Sequence, residues 1–67
     1  MSFKEWIRAR GVKRVAELTG AAPMTVYQWI WRDRVPRTAW PELMLAYPEL
    51  GLTALLAMEK AGLEKAA

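Results

Sequence analysis

Apolar residues recur at helical spacing from the start of the chain. The first stripe consists of Phe3, Trp6 and Ile7. Ser2 and Glu5 stand at the spacing of a capping box, and Gly11 supplies a C-terminal stop. This pattern predicts a first helix over residues 3–10, with its apolar stripe facing a core.

Two further amphipathic segments follow, separated by only a few residues. Their inward-facing positions are Val12, Val15, Ala16 and Thr19 in the first segment and Val26, Trp29 and Ile30 in the second. Gly20 ends the first segment. Pro23 suits the first position of the second, where a helix leaves the backbone N–H without a partner. We therefore expect helices over residues 12–19 and 23–31, joined by a tight turn.

A second stripe on the predicted third helix is not explained by a core. It consists of Met24, Tyr27, Gln28 and Trp31. These residues follow helical spacing on a different face from the inward-facing set. We expect this second face to carry the function.

Prolines interrupt the C-terminal part of the chain. A fourth helix is expected within residues 37–46, with its stripe formed by Trp40, Leu43, Met44 and Tyr47. Pro41 leaves two alternatives: a separate first turn over residues 36–40, or one helix kinked at Pro41. A fifth helix is expected from Leu52 or Thr53 to Lys60. The tail at residues 63–67 has too little apolar content to decide its order.

Taken together, the segments predict an all-α fold, a compact bundle of four to five short helices. We place a single domain at residues 1–62, because a chain of 67 residues holds one small core. The chain has no cysteine, no histidine and a single serine. We therefore expect that the protein is not an enzyme and that it binds no metal, cofactor or small-molecule ligand. No apolar run is long enough to span a bilayer and no signal-peptide pattern is present, so we expect a cytoplasmic protein.

The net charge of +3 is unevenly distributed. Residues 1–40 hold eight Lys or Arg against three Asp or Glu, a net charge of +5. Residues 41–67 hold two against four, a net charge of −2. This separation fits a polyanion-binding face, although charge alone fits a solvated helical surface equally well.

The segment VKRVAELTGAAPMTVYQWIW, residues 12–31, resembles the helix-turn-helix of bacterial and phage transcription regulators. Ala16, Gly20 and Val26 stand where that motif has a small residue, a turn glycine and an aliphatic residue. AELTG followed by TVYQW, a basic exit loop and VPR is most similar to small phage Cro-type and YdaS-like regulators. The likeness covers residues 12–37 and implies a lambda-repressor-like bundle around a central helix-turn-helix.

The chain departs from that pattern in two ways. Ala22 stands where a helix-capping serine is frequent, which leaves N–H groups of the third helix for water or a phosphate. The C-terminal part lacks the β-strand of some Cro proteins, so the resemblance implies the all-helical type.

The resemblance places the third helix in the major groove of double-stranded DNA. The implied base-reading residues are Pro23, Met24, Tyr27 and Gln28. Gln28 is the strongest candidate, because its amide can bind the N6 and N7 atoms of adenine, although a solvated glutamine is the simpler alternative. Met24 can contact only a thymine methyl, with packing as the alternative, and Tyr27 fits a phosphate or a base. We expect Trp31 to pack in a core or an interface.

Basic and hydroxyl residues flank this helix. The implied phosphate-binding residues are Lys13, Thr25, Arg32, Arg34 and Arg37. Each of them alone fits a solvated surface equally well, but their clustering around the motif favours a phosphate role.

Because members of the family bind two half-sites, the resemblance implies a homodimer. Dimerisation that is completed only on DNA is an alternative to a dimer in free solution. The candidate interface is Leu52, Leu55 and Leu56, with packing inside one chain as the alternative. The resemblance implies that the protein is a transcriptional regulator, and specifically a repressor. Such a protein would be associated with the bacterial nucleoid or expressed from a phage or prophage. Two alternatives stay open: an excisionase or architectural factor that bends DNA, and a helical protein-interaction module that does not bind DNA.

Overall fold

Five α-helices follow one another in a computed structural model that describes residues 1–66, with side chains for residues 1–64. They are α1 Phe3–Arg10, α2 Val12–Thr19, α3 Pro23–Arg32, α4 Trp40–Ala46 and α5 Leu52–Ala66, with a 3-10 turn at Arg37–Ala39. Residues 1–66 contain no strand, and the prediction of a small all-α bundle is confirmed.

Glycine ends both of the first two helices, as predicted. Gly11 has a φ of 96°, and its N–H donates to the carbonyl of Ile7 over 2.8 Å. Gly20 takes the left-handed conformation with a φ of 78° and donates to the carbonyl of Ala16 over 2.9 Å. Because side chains other than glycine are strained at such φ values, the positions of both stops follow from the sequence.

The turn between α2 and α3 is closed by one threonine. The Thr19 hydroxyl donates to the carbonyl of Val15 over 2.6 Å and accepts from the Ala21 N–H over 3.3 Å. Pro23 opens α3, and no side chain caps that helix at Ala22. The helix-turn-helix connection is therefore hydrogen-bonded on the α2 side and open at the start of α3.

The first of the two alternatives for Pro41 is the one observed. The 3-10 turn forms a separate first turn, and α4 begins at Trp40 with Pro41 in its first turn. The Trp40 indole N–H donates to the carbonyl of Val35 over 3.0 Å. This buried bond holds the segment after α3 against α4.

The core lies between all five helices. Its fully buried hydrophobic side chains are Phe3, Ile7, Val15, Val26, Val35, Leu43 and Leu55. The predicted apolar stripes of α1, α3 and α4 therefore face inward. No helix among residues 1–66 combines the length and apolar character needed to cross a bilayer.

Two expectations for α5 change. Leu55 is fully buried in the core, so its assignment to a dimer interface is wrong, while Leu52 and Leu56 are exposed. The helix also continues past Lys60 to Ala66, because Gly62 packs on α3's end and extends the inward-facing stripe. Ala67 lies outside the described residues.

Candidate nucleic-acid interface

The exposed face of α3 contains the four residues of its second stripe. Met24 is 58% exposed, Tyr27 44% and Trp31 69%, and Gln28 is exposed as well. The opposite side of the helix, Val26, Trp29 and Ile30, is buried. The predicted division of α3 into an inward and an outward face is confirmed.

Trp31 does not pack in the core as one of our expectations had it. Its ring stacks on Tyr27, with 6.2 Å between ring centroids and 25° between planes. The reason is its helical position: Trp31 follows Met24 by seven residues and so lies on the outward side, while the opposite side already fills the core. An exposed stacked aromatic pair is a feature that favours a binding surface.

The outward face of α3 has two chemically different edges. Successive residues of an α-helix turn by about 100°, so Tyr27 and Trp31 share one edge, and Gln28 and Arg32 share the other. Thr25 extends the second edge toward Trp29. We name the first the aromatic edge (Met24, Tyr27, Trp31) and the second the polar edge (Thr25, Gln28, Arg32).

The polar edge borders an open groove between α3 and the segment that follows it. The groove has a volume of about 570 Å³. Its lining residues are Thr25, Gln28, Trp29, Arg32, Arg34, Pro36 and Arg37. It thus brings together four of the five predicted phosphate-binding residues and the strongest predicted base reader. Three arginines give the groove a positive charge that suits an anion.

Lys13, the fifth predicted phosphate-binding residue, lies apart from this groove. It lines a separate shallow pocket with Ala16, Glu17, Ala21 and Pro23, beside the start of α3. Lys13 thus adds a cation near the uncapped start of α3, where the N-terminal N–H groups of the helix carry partial positive charge. The predicted phosphate-binding residues therefore flank α3 on two sides.

Sequence reasoning missed the carboxylate that holds two of the arginines. Glu59 Oε1 accepts a hydrogen bond from Arg37 Nη2 over 3.0 Å, and Oε2 lies 3.9 Å from Arg34 Nε. The residue is only 8% exposed. The hydrogen bond from Arg37 holds the pKa of the Glu59 carboxyl below its ordinary value. The sequence does contain one signal for this buried carboxylate: Glu59 follows the inward-facing Leu55 by four residues and so lies on the same side of α5.

Two other cations of the N-terminal half are directed elsewhere. The Arg10 guanidinium lies over the Trp6 ring at 4.3 Å and near the Tyr47 ring at 5.6 Å. Arg14 forms an exposed ion pair with Glu17 over 4.0 Å. Neither Arg10 nor Arg14 lines the groove beside α3.

Comparison with known proteins adds nothing to this geometry. No family model matches the chain, and no similar curated protein or solved structure was found. A function for the chain therefore has to follow from its own residues.

Proposed function

We propose that the protein is a sequence-specific DNA-binding transcriptional regulator, a repressor, that inserts α3 into the major groove. The observation that supports this most is the placement of Gln28 beside a groove lined by three arginines. A base-reading amide next to cations that can bind phosphates is the combination that such recognition needs. A regulator of this kind works in the cytoplasm, where bacterial and phage DNA is found.

Base recognition falls to the exposed face of α3. Gln28 binds adenine through N6 and N7, which is worth about 1–3 kcal/mol of discrimination. Met24 contacts a thymine methyl, and Tyr27 with Trp31 extends this apolar contact along the aromatic edge. Pro23, exposed at the first position of α3, allows the start of the helix to approach the bases.

Phosphate binding positions α3 in the groove of the DNA. Arg32, Arg34 and Arg37 act from the polar side, together with the Thr25 hydroxyl, and Lys13 acts from the start of α3. The N–H groups of the uncapped first turn of α3 provide further donors for a phosphate.

We also propose that the protein binds DNA as a homodimer. Leu52 and Leu56 are 56% and 42% exposed and lie one turn apart on α5. Leu63, 54% exposed, follows Leu56 by seven residues and extends the same stripe. A dimer that binds two half-sites would use one α3 helix on each of them.

The experiment that tests the function is selection of bound sequences from a random pool of duplex DNA. We expect enrichment of a site with two inverted half-sites that contain adenine. Gln28→Ala should keep helical circular dichroism and bind the selected duplex about 5- to 150-fold more weakly, the equivalent of one bidentate contact. With about five phosphate contacts per protomer, log K should fall against log salt with a slope of about −4 to −5.

Thr53→Ala is the matched control, since Thr53 is an exposed polar residue on α5. It should leave the affinity unchanged. Selection that enriches no sequence, or a Gln28→Ala variant that binds the selected duplex as tightly as the wild type, would refute base recognition by α3.

A second candidate function is supported by the aromatic edge. An exposed tryptophan stacked on a tyrosine is typical of the central residues of a protein–protein interface. A protein-interaction module would use this edge without the groove arginines. Its association with duplex DNA would then be absent, or weak and independent of sequence.

A further inference from the structure

Glu59 is an acidic residue on the inward side of α5, beside a groove that otherwise presents cations. Only 8% of its surface is exposed. Its Oε2 atom is buried and has no hydrogen-bond partner among the described residues, and Arg34 Nε lies 3.9 Å from it. A buried carboxylate is costly unless cations hold it. Here the two cations come from the segment that forms one wall of the groove.

Both arginines keep most of their hydrogen-bonding capacity beside Glu59, because Arg37 donates one hydrogen bond to it and Arg34 lies only within ion-pair distance. Their side chains remain 58% exposed for Arg34 and 65% exposed for Arg37. A guanidinium has five N–H donors, and Glu59 uses one donor of Arg37. The Arg37 guanidinium also lies over the Trp40 ring at 5.2 Å, which fixes it from a second side.

An arginine that is already ordered binds an anion at lower entropic cost. A mobile arginine side chain loses rotamer freedom when it binds a phosphate. An arginine that is already ordered in the unbound protein loses less of that freedom on binding. Both side chains line the groove, so their remaining donors are available to a ligand that enters it.

We propose that Glu59 is a positioning residue that presets Arg34 and Arg37 as a binding pair for a backbone phosphate of DNA in the groove beside α3. The inference rests on the proposed function, because the phosphate belongs to the DNA that α3 binds. It adds a residue of α5, remote in sequence from the helix-turn-helix, to the determinants of affinity.

Positioning and simple charge predict opposite signs for the loss of Glu59. A carboxylate near a polyanion repels it, so on charge alone Glu59→Gln should strengthen DNA binding. If Glu59 orders the arginines, Glu59→Gln should weaken binding instead. The effect should be equal for all DNA sequences, since phosphate contacts carry no base information.

The test measures binding of a labelled duplex of mixed sequence by fluorescence anisotropy at several salt concentrations. Glu59→Gln should bind about 3- to 10-fold more weakly than the wild type, the equivalent of ordering one long side chain. Glu64→Gln removes the same charge from the same helix at an exposed position paired with Lys60. This control should bind equally or slightly more tightly.

A double-mutant cycle separates positioning from a general loss of structure. Arg37→Ala should weaken binding less in the Glu59→Gln background than in the wild type, because Glu59 acts through Arg37. Arg32→Ala should weaken it equally in both backgrounds, since residues 1–64 offer Arg32 no carboxylate partner. Glu59→Asp keeps the charge but withdraws the carboxylate, and it should also weaken binding.

The possible results distinguish failure of the positioning role of Glu59 from failure of the proposed function. Glu59→Gln or Glu59→Asp binding as tightly as the wild type, or an additive Arg37 cycle, would overturn the positioning role while leaving the proposed function standing. A wild-type protein that shows no salt-dependent binding to duplex DNA would instead overturn the proposed function. Circular dichroism of each variant confirms that the comparison is between folded proteins.

Discussion

Asp33 shows how much one residue can connect in a domain of this size. It ends α3 in the left-handed conformation, with a φ of 52°, and its Oδ1 accepts the N–H of Lys4 in the first turn of α1 over 2.9 Å. On its other side α5 approaches: a Cβ atom at Gly62 would lie 2.5 Å from the Asp33 carbonyl oxygen. One residue therefore joins α1, α3 and α5.

The close approach at Gly62 predicts that an alanine there destabilises the fold. In an open helix this change would stabilise by about 1 kcal/mol, because alanine is the better helix former. Here the methyl group meets backbone, and we expect the free energy of unfolding to fall by about 1–3 kcal/mol. Urea denaturation measures the difference.

Gly51 offers the comparison for that substitution, since a Cβ atom there would meet nothing within 4 Å. Gly51 precedes the first residue of α5, where alanine is a poorer N-cap than glycine, so Gly51→Ala should lower stability by less than about 1 kcal/mol. A Gly62→Ala protein at least as stable as the wild type would show that α5 can shift away from Asp33 without loss.

At the scale of the helices, the sequence predicts what is local. The ends of α1 and α2 follow from Gly11 and Gly20, the start of α3 follows from Pro23, and the two faces of α3 follow from helical spacing. The predictions fail where a contact joins distant segments. Glu59 is 22 residues from Arg37, and Asp33 is 29 residues from Lys4, so periodicity within one helix carries no information on either pair.

The aromatic edge of α3 allows its own test, because Trp31 is 69% exposed and contributes little to the core. Trp31→Ala should change the free energy of unfolding by less than about 0.5 kcal/mol. Under the proposed function it should weaken binding of the selected duplex more than about fivefold, as expected for an aromatic contact residue. Thermal denaturation and anisotropy give the two quantities.

Leu45, on α4 and 83% exposed, supplies the control for loss of an exposed apolar side chain. Leu45→Ala should change neither stability nor binding. If Trp31→Ala kept full affinity for DNA, the aromatic edge would lie outside the DNA contact and the protein-interaction function would gain support.

At the scale of the whole molecule, the helix that closes the core also organises the basic surface. The side of α5 that carries Leu55 and Met58 fills the bundle, and one turn of the same side contacts the segment after α3 through Glu59 and Gly62. The separation of charge along the chain indicated a basic face. It could not show that a carboxylate from the acidic part is buried against that face.

This arrangement predicts how stability responds to acid. Arg37 holds the pKa of Glu59 below its ordinary value of 4.5, so the ionised carboxylate stabilises the folded state. That contribution is complete above 4.5 and is lost as the pH falls through the lower pKa of the folded state. Wild-type thermal stability should therefore fall more steeply between pH 5 and pH 3 than that of Glu59→Gln, at about constant ionic strength.

The difference between the two proteins isolates Glu59, since the other carboxyl groups titrate in both. Parallel curves for wild type and Glu59→Gln across this range would mean that the Arg37 contact contributes nothing to folding. Such a result would leave Glu59 as a residue that the fold merely tolerates.

The four tryptophans of the chain differ in solvent exposure, so their intrinsic fluorescence can report on the surface of α3 separately from the core. Trp6, Trp29 and Trp40 are 4–5% exposed, whereas Trp31 is 69% exposed. A small neutral quencher such as acrylamide should therefore reach the Trp31 emission first, at the long-wavelength side of the spectrum. Any macromolecule that covers α3 would shield that emission, while unfolding would expose all four rings. Occupancy and unfolding could then be followed in one cuvette, without an attached dye.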